Sequence, residues 1–382
     1  MTARKVLHIA SHGLNVGDGA LNGVIRERLC RLSPEPLAFT SLDAVLDPKA
    51  LAASDADAFD LVLVGGGGAI NNNLRATRLG LELPMTLAEY RRSRTPFAFV
   101  ALGHNLFPGE KARHAGALGA LMKAAGERGD PFSVRNDGSL ARLHRDIGDA
   151  ARTAVEIPDP GFFVAPEPVR PVEAGERPYM VLQVAADRLP ARLGAGPLER
   201  ALWPVWRPGF AALADALADF ALDAWRAFGF DVLVAPHIPA DVELGAAVVE
   251  RLYRRAGAAA AERPFRLMGT PHPSQAARFF AAYGAAELVV GMRGHAAICA
   301  VGLGRPFVAL ASHPKITGFM ESCGLGEWCV PADGDIAGDL ASKTRALLDG
   351  GLATYGTQRD ARTAGFGTRL DAFLGAALAR MR

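Results

Sequence analysis

The sequence predicts an α/β protein made of two doubly wound Rossmann-like domains, and three observations lead there. The first half alternates short apolar runs with helix-like stretches. The second half repeats that alternation. A proline-rich stretch separates the two. Short apolar runs suit strands buried on both faces of a parallel sheet, and the stretches between them supply the covering helices.

In the first domain, 1–165, the strand candidates lie at 6–10, 61–64, 97–102 and 132–135, with helix-like stretches at 20–32 and 110–127 between them. Prolines then fall at 158, 160, 166, 168, 171 and 178. Proline removes a backbone donor and fixes φ, so this stretch suits neither a regular helix nor a central strand. Residues 166–178 are therefore expected to link the domains. The second domain, 179–350, carries strand candidates at 179–184, 230–235, 265–268, 286–290 and 306–311, separated by helices that include 210–228 and 245–256. A helical tail, 351–382, ends in an amphipathic stretch at 363–382. Two such domains facing across a cleft have the GT-B architecture, and ligands of doubly wound sheets bind beyond the carboxyl ends of the strands.

Composition narrows the function. The chain has 382 residues, half of them hydrophobic, which is ample for two cores. Charged residues make up 21% and nearly cancel, with a net charge of +2, so no field for nucleic acid or an anionic membrane is implied. The four cysteines, Cys30, Cys299, Cys323 and Cys329, have no metal-site spacing, so neither a metal nor a disulfide framework is expected. The N-terminus enters a strand-like run without the pattern of a signal peptide. No run reaches the roughly 18 apolar residues of a membrane span. A cytoplasmic protein with at most peripheral membrane contact is expected.

Five segments can carry chemistry. Residues 11–21 join the first strand to the first helix. Asn15 or Asp18 can cap that helix, whose N-terminus offers N–H groups to an anion. Gly65, Gly66, Gly67 and Gly68 follow the second strand candidate and permit close backbone approach. Asn71 to Asn73 after them can cap a helix or bind sugar hydroxyls. Arg135 ends a strand candidate, where a guanidinium can bind carboxylate or phosphate in bidentate fashion or pair with a local Asp. Met292-Arg293-Gly294-His295 ends an apolar strand and opens an Ala-rich helix, which places a fixed cation and a proton-exchanging imidazole at a helix N-terminus. Ser312-His313-Pro314-Lys315 follows the next strand candidate, and Lys315 can hold phosphate as a point charge. His313 and His237 read as ordinary loop histidines. Neither the dinucleotide fingerprint nor a Walker A loop is present.

In this order, Asn15-Val16-Gly17-Asp18, the glycine run, Ser133-Val134-Arg135, Pro158-Asp159-Pro160, Met292-Arg293-Gly294-His295, Gly302-Leu303-Gly304-Arg305-Pro306 and Pro314-Lys315 resemble the polysaccharide pyruvyl transferases over most of the chain. The resemblance implies a GT-B-like fold and transfer of the pyruvyl group of phosphoenolpyruvate to two hydroxyls of a saccharide as a ketal, in surface or exopolysaccharide biosynthesis. It implies Arg135 and Arg293 as ligands of the donor's phosphate and carboxylate, His295 as acid/base, and Lys315 in the same pocket. No cofactor is implied beyond phosphoenolpyruvate as a substrate. A lipid-linked acceptor, and with it the cytosolic face of the membrane, is among the options. The alternatives are a nucleotide-sugar glycosyltransferase on the same architecture, which would need an acidic ribose contact after 291–298, and a non-catalytic sugar- or anion-binding protein. Residues 189–209, with Trp203 and Trp206, fit none of these motifs. Their rings suit sugar stacking, core packing or an interface.

Overall fold

The computed structural model describes residues 2–72, 79–168, 176–194, 207 and 209–381. The chain forms two compact units, Met1–Gly161 with Ala364–Arg382, and Phe162–Thr363.

The first unit is a six-stranded parallel sheet in the order β2-β1-β3-β4-β5-β6. Its strands are β1 (Arg4–Ala10), β2 (Leu37–Asp43), β3 (Leu61–Ile70), β4 (Phe97–His104), β5 (Phe132–Arg135) and β6 (Ala154–Ile157). The order reverses beside β1, so the crevice for a ligand lies at the carboxyl ends of β1 and β3. The core around β3 to β5 is aromatic: Phe97, Phe99 and Phe132 run in a stacked row beside Tyr90, all buried. The helix Val16–Leu32 starts at Asn15, whose side chain accepts from the Gly17 amide at 2.9 Å. It stops before Pro34 and Pro36, neither of which can continue a helix.

The second unit holds another six-stranded parallel sheet, in the order β12-β11-β10-β7-β8-β9. Its strands are β7 (Tyr179–Val184), β8 (Asp231–Pro236), β9 (Phe265–Leu267), β10 (Leu288–Gly291), β11 (Phe307–Ala311) and β12 (Cys329–Pro331). Here the order reverses between β7 and β10, which pair directly. The helix Phe210–Phe228 matches its expected limits because Gly209 and Gly229 flank it at φ 82 and 70, a left-handed conformation that glycine adopts without a Cβ penalty.

The sequence expectation and the structure differ in three places. The three sheet-edge or near-edge strands β2, β6 and β12 were not foreseen. The division falls after Gly161, so 162–165 belong to the second unit, and part of the 166–178 stretch (169–175) lies outside the described residues, as do Trp203 and Trp206. The tail is divided: Leu352–Thr363 packs in the second unit, whereas Phe366–Leu378 returns to the first and lies against Val16–Leu32 and β6. No described helix is long and apolar enough to cross a membrane.

Candidate functional site

In the second unit, polar side chains from four loops gather at the carboxyl ends of β7, β8, β10 and β11. Arg293 follows β10 and is the N-cap of the helix Gly294–Gly302. Its guanidinium donates to Asp241 through Nε at 2.9 Å and Nη2 at 2.6 Å, and Nη2 also donates to Asp187. Asp241 lies just past β8 and is fully buried. Besides Arg293, it accepts the amides of Ala186 at 3.0 Å, His237 at 3.1 Å and Ile238 at 3.2 Å. A buried carboxylate needs such saturation, because desolvation without partners is costly. Burial would lower the Arg293 pKa, but Asp187 and Asp241 outweigh it and raise it above the ordinary arginine value. Arg293 is therefore a fixed cation with a fixed orientation.

The backbone that carries Arg293 is held on two sides. The Met292 amide donates to Gln183 Oε1 at 3.1 Å, and its carbonyl accepts from Ser312 Oγ at 3.1 Å and Arg192 Nη1 at 3.3 Å. Arg192 is buried and also donates to both oxygens of Asp187, at 3.1 and 3.3 Å. Lys315 sits in the first turn of the helix Pro314–Ser322, and a Cβ placed on Gly294 would touch its stem at 3.5 to 3.8 Å. Burial pushes the Asp187 carboxyl up, but Arg192, Arg293 and Lys315 outweigh it and hold it well below the usual range. His295, one residue into the same helix, is 7% exposed. Arg293 and Lys315 thus both act on Asp187, and His295 lies in the first turn of the helix that Arg293 caps.

Three participants escaped the sequence reading: Asp187, Arg192 and Asp241. His237 reads differently as well. It is fully buried and hydrogen-bonds to the Tyr283 hydroxyl at 2.7 Å, and its Nδ1 has no partner. Burial, then Arg293 and His295, lower its pKa well below the ordinary value, so it stays neutral. His313 is the N-cap of its helix, its Nδ1 accepting from the Lys315 amide at 3.2 Å.

The first-unit candidates are drawn mostly into internal contacts. Arg135 is 1% exposed. Its Nε donates to Asp137 at 2.6 Å and its Nη1 to Asp159 at 3.1 Å, and the guanidinium lies flat against Gly103, where a Cβ would collide with it. Asp159 also accepts from the Gly161 amide, and its own amide donates to Asn136 Oδ1. Ser133 Oγ accepts from the Ala101 amide, where β4 bulges at φ 49. The segments 133–135 and 158–160 are therefore one buried network, and Arg135 meets two carboxylates instead of an open approach.

The loop after β1 is also closed on itself. Asp43 accepts from the amides of His12 and Gly13, and Asn15 takes that of Gly17, so these donors are not presented to an outside anion. The glycines lie inside β3 and not beyond it. A Cβ on Gly66 would drive into Leu21 of the first helix, so Gly66 serves helix-to-sheet packing rather than ligand approach. Gly67 has φ 91, and a Cβ added there would come within 2.9 Å of the Asp18 carboxylate. Asn71 donates to Gly68 O at 3.1 Å and to Glu82 Oε1 at 2.7 Å. Burial pushes the Glu82 carboxyl up to about 8; the Asn71 hydrogen bond opposes this, and Asp18 and Asp43 add to it. Asp18, Gly67, Asn71 and Glu82 form the first unit's polar group near the β1/β3 crevice. Among the described residues, no group of three or more His, Cys, Asp and Glu side chains has the arrangement of a metal site.

The profile of the polysaccharide pyruvyl transferase family matches residues 15–314. No curated protein matches the chain in sequence. In structure, the chain is similar to UDP-GlcNAc 2-epimerase from Neisseria meningitidis bound to UDP-GlcNAc, with a TM-score of 0.56, 11% identity, and coverage of 98% of this chain and 100% of that one. It is similar to S. aureus MnaA solved with UDP, with a TM-score of 0.54, 10% identity, and coverage of 96% and 98%. It is also similar to UDP-GlcNAc 2-epimerase from Methanocaldococcus jannaschii in complex with UDP-GlcNAc and UDP, with a TM-score of 0.52, 10% identity, and coverage of 90% and 93%. At these identities the likeness concerns the fold, a two-domain Rossmann-like GT-B fold.

Proposed function

Because the chain belongs to the polysaccharide pyruvyl transferase family and is a transferase, we propose that it moves the pyruvyl group of phosphoenolpyruvate onto two hydroxyls of a saccharide, forming a ketal. The observation that carries this reading is the gathering of Arg192, Arg293 and Lys315 beside His295 at the β7/β10 switch point. Phosphoenolpyruvate places two anionic groups on three carbons, and a cluster of fixed cations at a helix N-terminus suits it.

In the proposed reaction, His295 delivers a proton to the methylene carbon while the first sugar hydroxyl bonds to C2. That hydroxyl's proton returns the histidine to its starting state. The C2–O bond to phosphate then breaks, with Arg293 and Lys315 stabilising the charge that leaves. The second hydroxyl bonds to C2, its proton goes to the departing phosphate, and the ketal closes. No electrons are exchanged, and the scheme calls on no cofactor. Arg135, enclosed by Asp137 and Asp159, is assigned the holding of the β5 loop.

Calorimetric titration with phosphoenolpyruvate, beside UDP and GDP, tests the reading. Saturable phosphoenolpyruvate binding that weakens at least about tenfold in Arg293→Ala and in Lys315→Ala is expected, since a charge-assisted contact is worth about 1.5–3 kcal/mol. Thermal unfolding checks that the variants remain folded. Nucleotide binding without a phosphoenolpyruvate signal would overturn it in favour of a nucleotide-sugar transferase.

A further inference from the structure

The two carboxylates of the second-unit cluster are built differently. Asp241 is fully buried and saturated by three backbone amides as well as Arg293. Its role is to hold. Asp187 stands on the loop after β7, and its side chain is 32% exposed. Among the described residues its carboxylate accepts from Arg192 and Arg293, and Lys315 acts on it electrostatically. It is a partly exposed anion whose described side-chain partners are cationic, and they are the ones that would receive an anionic substrate.

Charge makes the consequence concrete. Arg192, Arg293 and Lys315 carry three positive charges, and Asp187 and Asp241 carry two negative ones. Among these five described side chains the positive charges exceed the negative ones by one. A bound phosphate or phosphoenolpyruvate would bring further negative charge to within a few ångströms of Asp187. The loop that carries Asp187 is also the point where the chain turns through Arg188 at φ 54, into the short helical turn Leu189–Arg192. Asp187 and Arg192 are therefore coupled through both ends of one turn, the Arg192 Nε also donating to the Asp187 carbonyl at 2.8 Å.

We infer that Asp187 is a built-in competitor for the anionic ligand of this site, occupying Arg192 and Arg293 when the site is empty and ceding them to the ligand's phosphate or carboxylate. This rests on the second-unit cluster being the anion site proposed above. Asp187 then sets affinity: it limits how tightly the donor binds, and it helps expel the inorganic phosphate the reaction leaves behind. Without it the site would hold its product anion longer.

The experiment is titration of the full chain with inorganic phosphate and, separately, phosphoenolpyruvate, in wild type, Asp187→Asn, Asp187→Ser and Arg293→Ala. Removing one like charge beside a dianion in a half-buried setting is worth about tenfold or more in Kd. Both Asp187 variants are expected to bind phosphate at least that much more tightly. Their thermal unfolding should also shift upward with added phosphate more than that of the wild type, since a ligand stabilises in proportion to its occupancy. A residue that merely shaped the loop would leave phosphate binding weaker or unchanged. That result, with Arg293→Ala still weakening the anion, would overturn the competitor and leave the transferase reading standing. Anion binding indifferent to both residues would overturn the two together.

Discussion

At the scale of single residues, burial and then neighbouring charges decide what each polar group can do. Glu82 illustrates this in the first unit. Burial pushes its carboxyl up to about 8, and Asp18 and Asp43 add to the shift against the opposing Asn71 hydrogen bond. The sign follows from linkage. The folded chain keeps this proton up to about pH 8, whereas the unfolded chain loses it near the ordinary value of 4.5. Its contribution to stability is therefore fully present below pH 4.5 and is lost as the pH rises toward 8. Glu82→Gln, which keeps the shape and the acceptor for Asn71, removes that dependence. Urea unfolding across pH 5 to 9 should show the variant gaining on wild type through the window and levelling off above it. Parallel curves for the two proteins would mean that Glu82 ionises normally.

The legibility of the site also belongs to this scale. Arg293, His295 and Lys315 could be found in the sequence because each directly follows an apolar strand. Asp187 and Asp241 follow strands too, but a lone acid a few residues past a strand has no distinguishing pattern. Only the sheet order, with β7 between β10 and β8, brings residues 106 and 52 positions apart onto one guanidinium. The same limit applies to Arg135: its position was legible, whereas its enclosure by Asp137 and Asp159 depends on how β5 meets the segment after β6.

At the scale of elements, the central strands were legible and three of the four edge strands, β2, β6 and β12, were not, for a physical reason. β7 and β10 are buried along their whole length, so they read as continuous apolar runs. β2 alternates partly buried and exposed residues, and β12 has three residues ending in proline. Edge strands of that kind carry little hydrophobic signal. Glycines give a sharper test of how closely elements approach. A Cβ on Gly302 would collide with the backbone of Phe162, so the last turn of the helix Gly294–Gly302 lies directly against the start of its own unit. Backbone cannot swing aside as a flexible side chain can. Gly302→Ala should therefore cost about 1–3 kcal/mol by overpacking. Gly23, on the exposed face of Val16–Leu32, has nothing within 4 Å. There the same substitution should stabilise by roughly 0.5–1 kcal/mol, because glycine is a poor residue in a helix. Chemical denaturation of the pair reads the contrast directly, and equal effects would contradict the close approach at Gly302.

At the scale of the whole molecule, the chain does not finish where its second unit does. After Thr363 it re-enters the first unit, and the helix Phe366–Leu378 buries Phe366, Leu370, Phe373 and Leu374 there. Asp371 on the same helix pairs with Arg28 at 2.6 Å and Arg31 at 3.0 Å. Those pairs are partly exposed and contribute about 0–1 kcal/mol each. Each large apolar side chain contributes about 1.5–3 kcal/mol when fully buried. Four of them sum to roughly 6–12 kcal/mol as an upper bound, which is comparable to the entire stability of a typical domain, about 5–15 kcal/mol. The last helix is thus an integral layer of the first unit, although it is the farthest part of the chain in sequence. Ending the chain after Thr363 should leave the first unit unfolded or aggregation-prone while the second keeps its fold. Asp371→Ala should change the unfolding midpoint little. Limited proteolysis followed by mass analysis separates the outcomes: fragments from 1–161 should disappear first in the truncated protein, with 162–363 persisting. Equal resistance of both units would show that the sheet of the first unit stands without its returning helix.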